Sequence, residues 1–203
     1  MASVWVVSLG GRFQRAFDLL EAAVRDCTDE LWQTTMWEVP DDDAREIRGP
    51  GGAPITGPAD RHALVQRFGT PWGIAWHALE RLDFLLTGGF VPWDIWPPLS
   101  ERLADGTAMA EVAVGGVSGH SGLDILTMST PWTRPDLFSY IDYCRERVVD
   151  TLQDVTDEKA ATPRGRTTYA ERLMQAYDHV VEHASQIRQF ITMAARTTQG
   201  DSR

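Results

Sequence analysis

The chain has 203 residues, of which 43% are hydrophobic and 24% charged, enough for one domain with a sizeable core. Its formal charge of −10, spread along the sequence, argues against nucleic acid or an anionic membrane as partner. No apolar run reaches the ~18 residues of a membrane helix, and Cys27 and Cys144 alone are too few for a disulfide framework or a cysteine-ligated zinc site.

The apolar patch Val4 to Leu9 has no basic flank, so a signal peptide is not expected and a reducing cytoplasm is the expected compartment. A first helix is expected from Gly11 to Trp32, where Phe13, Ala16, Phe17, Leu20 and Ala23 or Val24 recur at helical spacing. From Glu38 to Asp60, prolines, glycines and the run Asp41-Asp42-Asp43 cannot sustain a helix, and a long loop is expected. Thr70 as N-cap and Pro71 in the first helical position open a second helix, Trp72 to about Leu86, stopped by Gly88-Gly89. This helix is apolar almost all round, with Glu80, Arg81 and Asp83 the exceptions, so burial on most sides is expected.

Between Pro92 and Trp132 the pattern becomes irregular. Trp93, Trp96 and Pro97-Pro98 suggest an aromatic loop, Leu99 to Leu103 a helical turn, and Gly115 to Gly122 a glycine-rich stretch. A third helix follows Thr133, with Pro135 in its first turn and Leu137, Ile141, Cys144, Val148, Val149 and Leu152 inward. The fourth runs from about Thr168 to Arg196, and nothing reads as a sheet. The expectation is an all-α single domain over residues 1–203: a four-helix bundle with a long crossover between helices 2 and 3 and extended loops over 33–69 and 90–132.

On the fourth helix Leu173, Ala176, Tyr177, Val180, Ala184, Ile187, Ile191 and Ala194 form one apolar arc. His179 and His183 sit at its margin beside Phe190. Being one turn apart, they share a side and could grip one ion. His77, on the second helix, could supply a third imidazole and leave an open coordination position, the arrangement of a catalytic rather than a structural metal. However, His77 lies off the Trp72, Ala75, Trp76, Leu79, Leu86 stripe, so a wheel alone does not bring it to the fourth helix. Spacing and burial leave both the triad and a chance pairing open. His62 and His120 fall in expected loops and read as solvated. The run His179-Val180-Val181-Glu182-His183 also matches the inverted zincin pattern H-x-x-E-H, but no glutamate follows Glu182 to complete it.

The segment Thr70-Pro71-Trp72-Gly73-Ile74-Ala75-Trp76-His77-Ala78-Leu79 resembles the second-helix signature of the DinB/YfiT-like bundles. His179-x-x-x-His183-x-x-Gln186 is similar to their fourth-helix motif, and Phe13 to Trp32 to their aromatic opening helix. The resemblance spans most of the chain and is weakest over 33–69 and 90–132. It implies a divalent metal held by His77, His179 and His183, with zinc the default and nickel or iron alternatives. It further implies a low-molecular-weight thiol as cosubstrate for S-transfer or isomerisation, the cation lowering the thiol pKa. A mycothiol-type thiol follows if the arginine bias (Lys159 is the only lysine among 19 basic residues) marks a GC-rich actinobacterial genome.

Gln186 is expected to orient a ligand or to pack, and Asp178 and Glu182 to back the imidazoles or to be solvated. No further catalytic group is assigned. Ser185 stands where the related iron-dependent sulfoxide synthases carry a glutamate, which sets that subgroup aside. Trp93 to Trp96 and the 38–60 loop are expected to shape a pocket for a small-molecule substrate. Members of the family often pair as dimers through bundle faces. A metal-dependent hydrolase using the same ligands, and a non-catalytic ligand-binding bundle, are the alternatives.

Overall fold

The computed structural model describes residues 4–37, 69–86, 96–99, 101 and 131–200. In chain order it forms α1 (Val4–Asp26), α2 (Asp29–Trp32), α3 (Pro71–Leu86), α4 (Arg134–Gln153), α5 (Asp157–Ala161), β1 (Pro163–Arg164), β2 (Thr167–Thr168) and α6 (Tyr169–Gly200). The protein is therefore mostly helical, as expected. None of the described helices is long and apolar enough to cross a membrane. Most of the expected loops over 33–69 and 90–132, the Gly88-Gly89 stop, Trp93, His62 and His120 lie outside the described residues.

α1 begins at Val4, earlier than its apolar period suggests, and breaks before Trp32. The break falls at Cys27-Thr28, where Thr28 is the N-cap residue of α2 and Asp29 and Glu30 occupy its first turn. Arg134 closes the end of α1 from the far side of the chain. Its guanidinium donates to the carbonyls of Val24 and Cys27, pairs with Asp29 at 2.6 Å and lies over the Trp32 ring at 4.5 Å. The Trp32 indole in turn donates to the Trp132 carbonyl at 3.1 Å. These contacts satisfy carbonyls left open at the helix end and tie it to the start of α4.

α4 starts as the sequence indicates. Thr133 and Asp136 form a reciprocal capping box, with the threonine hydroxyl accepting from the Asp136 N–H and the carboxylate from the Thr133 N–H. Of the residues expected inward, Val149 is instead 45% exposed, and Tyr140, on the inward stripe with Leu137 and Cys144, is fully buried. α3 is buried on nearly every side, and the exceptions foreseen there are corrected. Glu80 is 1% exposed and Asp83 is completely buried, because α3 contacts both α4 and α6 and leaves little of its surface to water. Thr70 accepts from the Gly73 N–H at 3.2 Å, the N-cap contact expected of it.

α1 packs on α4 and α6, and α3 packs on the same two helices. Leu79 and Asp83 of α3 meet Cys144 and Arg147 of α4 in the same sequence order, so these two run parallel. Across the other face, His77 meets His179 while Leu86 meets Tyr169, so α3 and α6 run antiparallel. One apolar core fills the space between, with Phe13, Phe17, Leu20, Trp76, Leu79, Leu82, Leu137, Ile141, Val180 and Ile187 all 2% exposed or less.

Two further features depart from expectation. β1 and β2 form a small antiparallel hairpin, Pro163 opposite Thr168 and Arg164 opposite Thr167, turned at Gly165 with φ +66°. A strand of two residues carries too little periodicity to be read from sequence. Trp96 lies in the core rather than at the surface. It is 2% exposed and stacks on Tyr140 at 4.3 Å, with Trp132 at 5.1 Å, which makes it part of the core. Residues 97–99 and 101 are helical, so the expected turn begins earlier, at Pro97.

Candidate metal centre

Three imidazoles meet where α3 crosses α6. His77 comes from the α3 face left over after the Trp76 and Leu79 side is committed to the core, and it is half-buried. His179 and His183 stack on α6 one turn apart, beside Val180 and Ala184, which are fully buried. A nitrogen of each ring lies within 4.8 Å of the other two, a geometry that could hold a metal ion. The straight-wheel objection to His77 is removed by packing: α3 meets α4 through Leu79 and Asp83 and α6 through His77, so it uses two faces.

The His77 and His179 Nε2 atoms are 3.2 Å apart. Two imidazole nitrogens this close share either a proton or a cation, since two bare lone pairs would repel. Ligands about 2.05 Å from one zinc ion at the tetrahedral angle would lie about 3.3 Å apart. His183 points to the same arrangement. Its Nδ1–H donates to the Gln186 Oε1 at 2.7 Å, because an amide oxygen can only accept. Nε2 then carries the lone pair, and that atom is buried without a hydrogen-bond partner. Leaving a buried polar atom unsatisfied costs about 1–3 kcal/mol. A cation at the cluster would use the atom that nothing else uses.

Burial lowers the His183 pKa from its ordinary range, while the Gln186 hydrogen bond and the Glu182 charge act in the opposite direction. The ring is accordingly neutral near pH 7, the form in which imidazole ligates. Gln186 thus touches one of the three imidazoles directly. Glu182 does not: it is exposed, makes no hydrogen bond to an imidazole among the described residues and acts on His183 only through its charge. Asp178, also exposed, makes none either.

A shallow cleft of about 260 Å³ opens at the His179 edge of the cluster, lined by Arg81, Leu85, Gln175, Asp178, His179 and Glu182. Arg81 was marked in the sequence only as an interruption of an apolar helix. Its position one turn after His77 was the available signal, since that puts both on the face turned to α6. A larger cavity of about 340 Å³ lies past the far end of α3, where Arg147, Lys159 and Arg164 face Asp150 and Asp154. Its lining contains no histidine and its charges are mixed.

No family model, curated protein or solved structure matches this chain. The likeness to DinB/YfiT-like bundles therefore rests on the motif residues themselves.

Proposed function

We propose that this protein is a metal-dependent enzyme of the DinB/YfiT-like type, a four-helix bundle with a long crossover between α3 and α4, acting with a low-molecular-weight thiol of the mycothiol class. The observation that carries the reading is the convergence of His77, His179 and His183, two helices and 102 residues apart in sequence, with the buried His183 Nε2 left unpartnered. The donor set fits a divalent cation. Three neutral nitrogens suit zinc, nickel or iron, and a cation held by three ligands would have a position open for a small molecule. When bound, such a cation lowers the pKa of a thiol at the open position, making a nucleophile available near pH 7.

The remaining roles belong to the chain. Gln186 holds the His183 ring in one tautomer and one orientation. Val180 and Ala184, both fully buried, back the histidines and keep water from that side. The cleft at His179 gives a small substrate its approach. Parallel α3 and α4 require a long connection between them, which is what residues 87–133 provide and what supports the crossover reading.

Metal content measures the first half of the proposal. Purified protein is expected to bind one zinc ion per chain, and His183→Ala and His179→Ala are expected to lose it while remaining folded by circular dichroism. Thiol chemistry measures the second: zinc-loaded protein should accelerate mycothiol or bacillithiol addition to monochlorobimane. Stoichiometric zinc binding that survives both substitutions would refute the site. A rate no higher than the uncatalysed one would refute the transferase reading.

A further inference from the structure

We propose that Arg81 anchors a carboxylate on the small substrate whose reacting group sits at the histidine cluster. The inference takes from the metal-thiol reading only which end of the substrate reacts.

Arg81 follows His77 by four residues on α3, so its stem rises about 6 Å further along the axis on the same side. Its side chain lines the cleft that His179 also lines. The guanidinium lies 5.7 Å from the Phe84 ring centroid, which restrains the group without using its N–H donors. Its Nη1 is buried and makes no hydrogen bond, and neither does the buried Nε of Arg172, whose charge acts on Arg81. Burial lowers the Arg81 pKa, the neighbouring Glu80 charge opposes it, and the Arg172 charge adds a smaller push downward. Asp178 and Glu182 stand on the α6 wall of the cleft but form no ion pair with Arg81.

A guanidinium that lines the cleft and makes no hydrogen bond among the described residues, with Glu80 and Arg172 both acting on it, suits an anion that arrives with the ligand. A guanidinium fork matches the two oxygens of a carboxylate. The acidic α6 wall narrows the choice further, because it repels a large polyanion while accepting hydroxyl or ammonium donors from the same molecule. The ligand class is thus a small carboxylate-bearing compound, and the protein's net charge of −10 means that any preference for an anion must come from a local group.

The test compares 3-mercaptopropionate with 2-mercaptoethanol by isothermal titration calorimetry on zinc-loaded and metal-free protein. The charged thiol is expected to bind about tenfold tighter or more in both forms. Arg81→Met and Arg81→Gln should bring the ratio to about one with zinc content unchanged, and Arg81→Lys should restore part of it. If Arg81→Met does not fold, the nearly isosteric glutamine variant gives the same comparison. Equal affinities in the wild type, or a preference that survives both uncharged substitutions, would overturn the proposal. A protein that binds no zinc at the histidines but still prefers the carboxylate through Arg81 would keep the anchor and lose the function proposed above. Zinc binding without any preference would do the reverse.

Discussion

At the scale of single residues, the informative group is His183. Its two ring nitrogens have different fates: Nδ1 is committed to Gln186 at 2.7 Å, and Nε2 is buried with no partner. Gln186 was legible in the sequence as a residue three positions beyond the second histidine, but packing and orientation were equally good readings of it. The contact between Gln186 and the His183 ring favours orientation. Gln186→Ala is expected to weaken zinc binding about 10- to 100-fold while leaving the three ligands in place. Competition with a chromogenic chelator measures this, and unchanged affinity would mean that the amide only packs. Glu182→Gln is the contrasting case: it makes no hydrogen bond to the rings and should change zinc affinity far less than Gln186→Ala.

Between elements, the main unforeseen feature is the charge buried between α3 and α4. Asp83 is completely buried and its Oδ1 lies 2.7 Å from the Arg147 Nε, while Arg147 Nη1 donates to the Tyr143 hydroxyl at 3.2 Å. In sequence Asp83 reads as a solvated interruption of an apolar helix. Nothing in α3 by itself indicates that a cation waits 64 residues later on a parallel neighbour. Removing Arg147 takes an opposing charge from a completely buried carboxylate, so Arg147→Met should cost up to about 3–5 kcal/mol in urea unfolding. Replacing both, as in Asp83→Leu with Arg147→Met, should recover much of that loss, because the desolvation penalty disappears together with the attraction. A double variant as unstable as the single one would mean that the pair also fixes how α3 sits on α4. That would reach the histidines, since His77 is carried by the same helix.

Considered whole, the molecule hides both of its thiols. Cys27 is 2% exposed, and burial is the main cause that raises its pKa to about 11, although the Arg134 charge and hydrogen bond pull it down. Cys144 is completely buried and also raised, first by burial and then by the Asp83 charge. At pH 8 a thiol with a pKa of about 11 is about one part in a thousand thiolate, and the thiolate is the reacting form. Labelling by a disulfide reagent at pH 8 is therefore expected to be negligible in the native protein and complete once urea unfolds it, so its rate follows global opening. Rapid labelling of either cysteine under native conditions would mean that α1 or α4 opens locally. A raised thiol pKa favours the folded state only while the group is protonated. This contribution is full below the unfolded value near 8.5 and is lost as pH climbs toward 11.

The sequence by itself determined that the protein is helical, where three of its long helices begin, and most of the apolar stripe that α1, α4 and α6 bury. Those properties follow from local chemistry: Thr70 before Pro71, the Thr133–Asp136 capping box, and Thr168 paired with Glu171 at the start of α6. It also supplied His179 and His183 as a pair, because an i, i+4 relation is a property of one helix. Whether His77 joined them was a matter for the tertiary structure, since it depends on which face α3 turns to α6 once Leu79 and Asp83 are given to α4. The same holds for Arg81 and for the Asp83–Arg147 pair. Each requires two groups far apart in sequence to be desolvated together, and the cost or gain of that step exists only after the helices have packed.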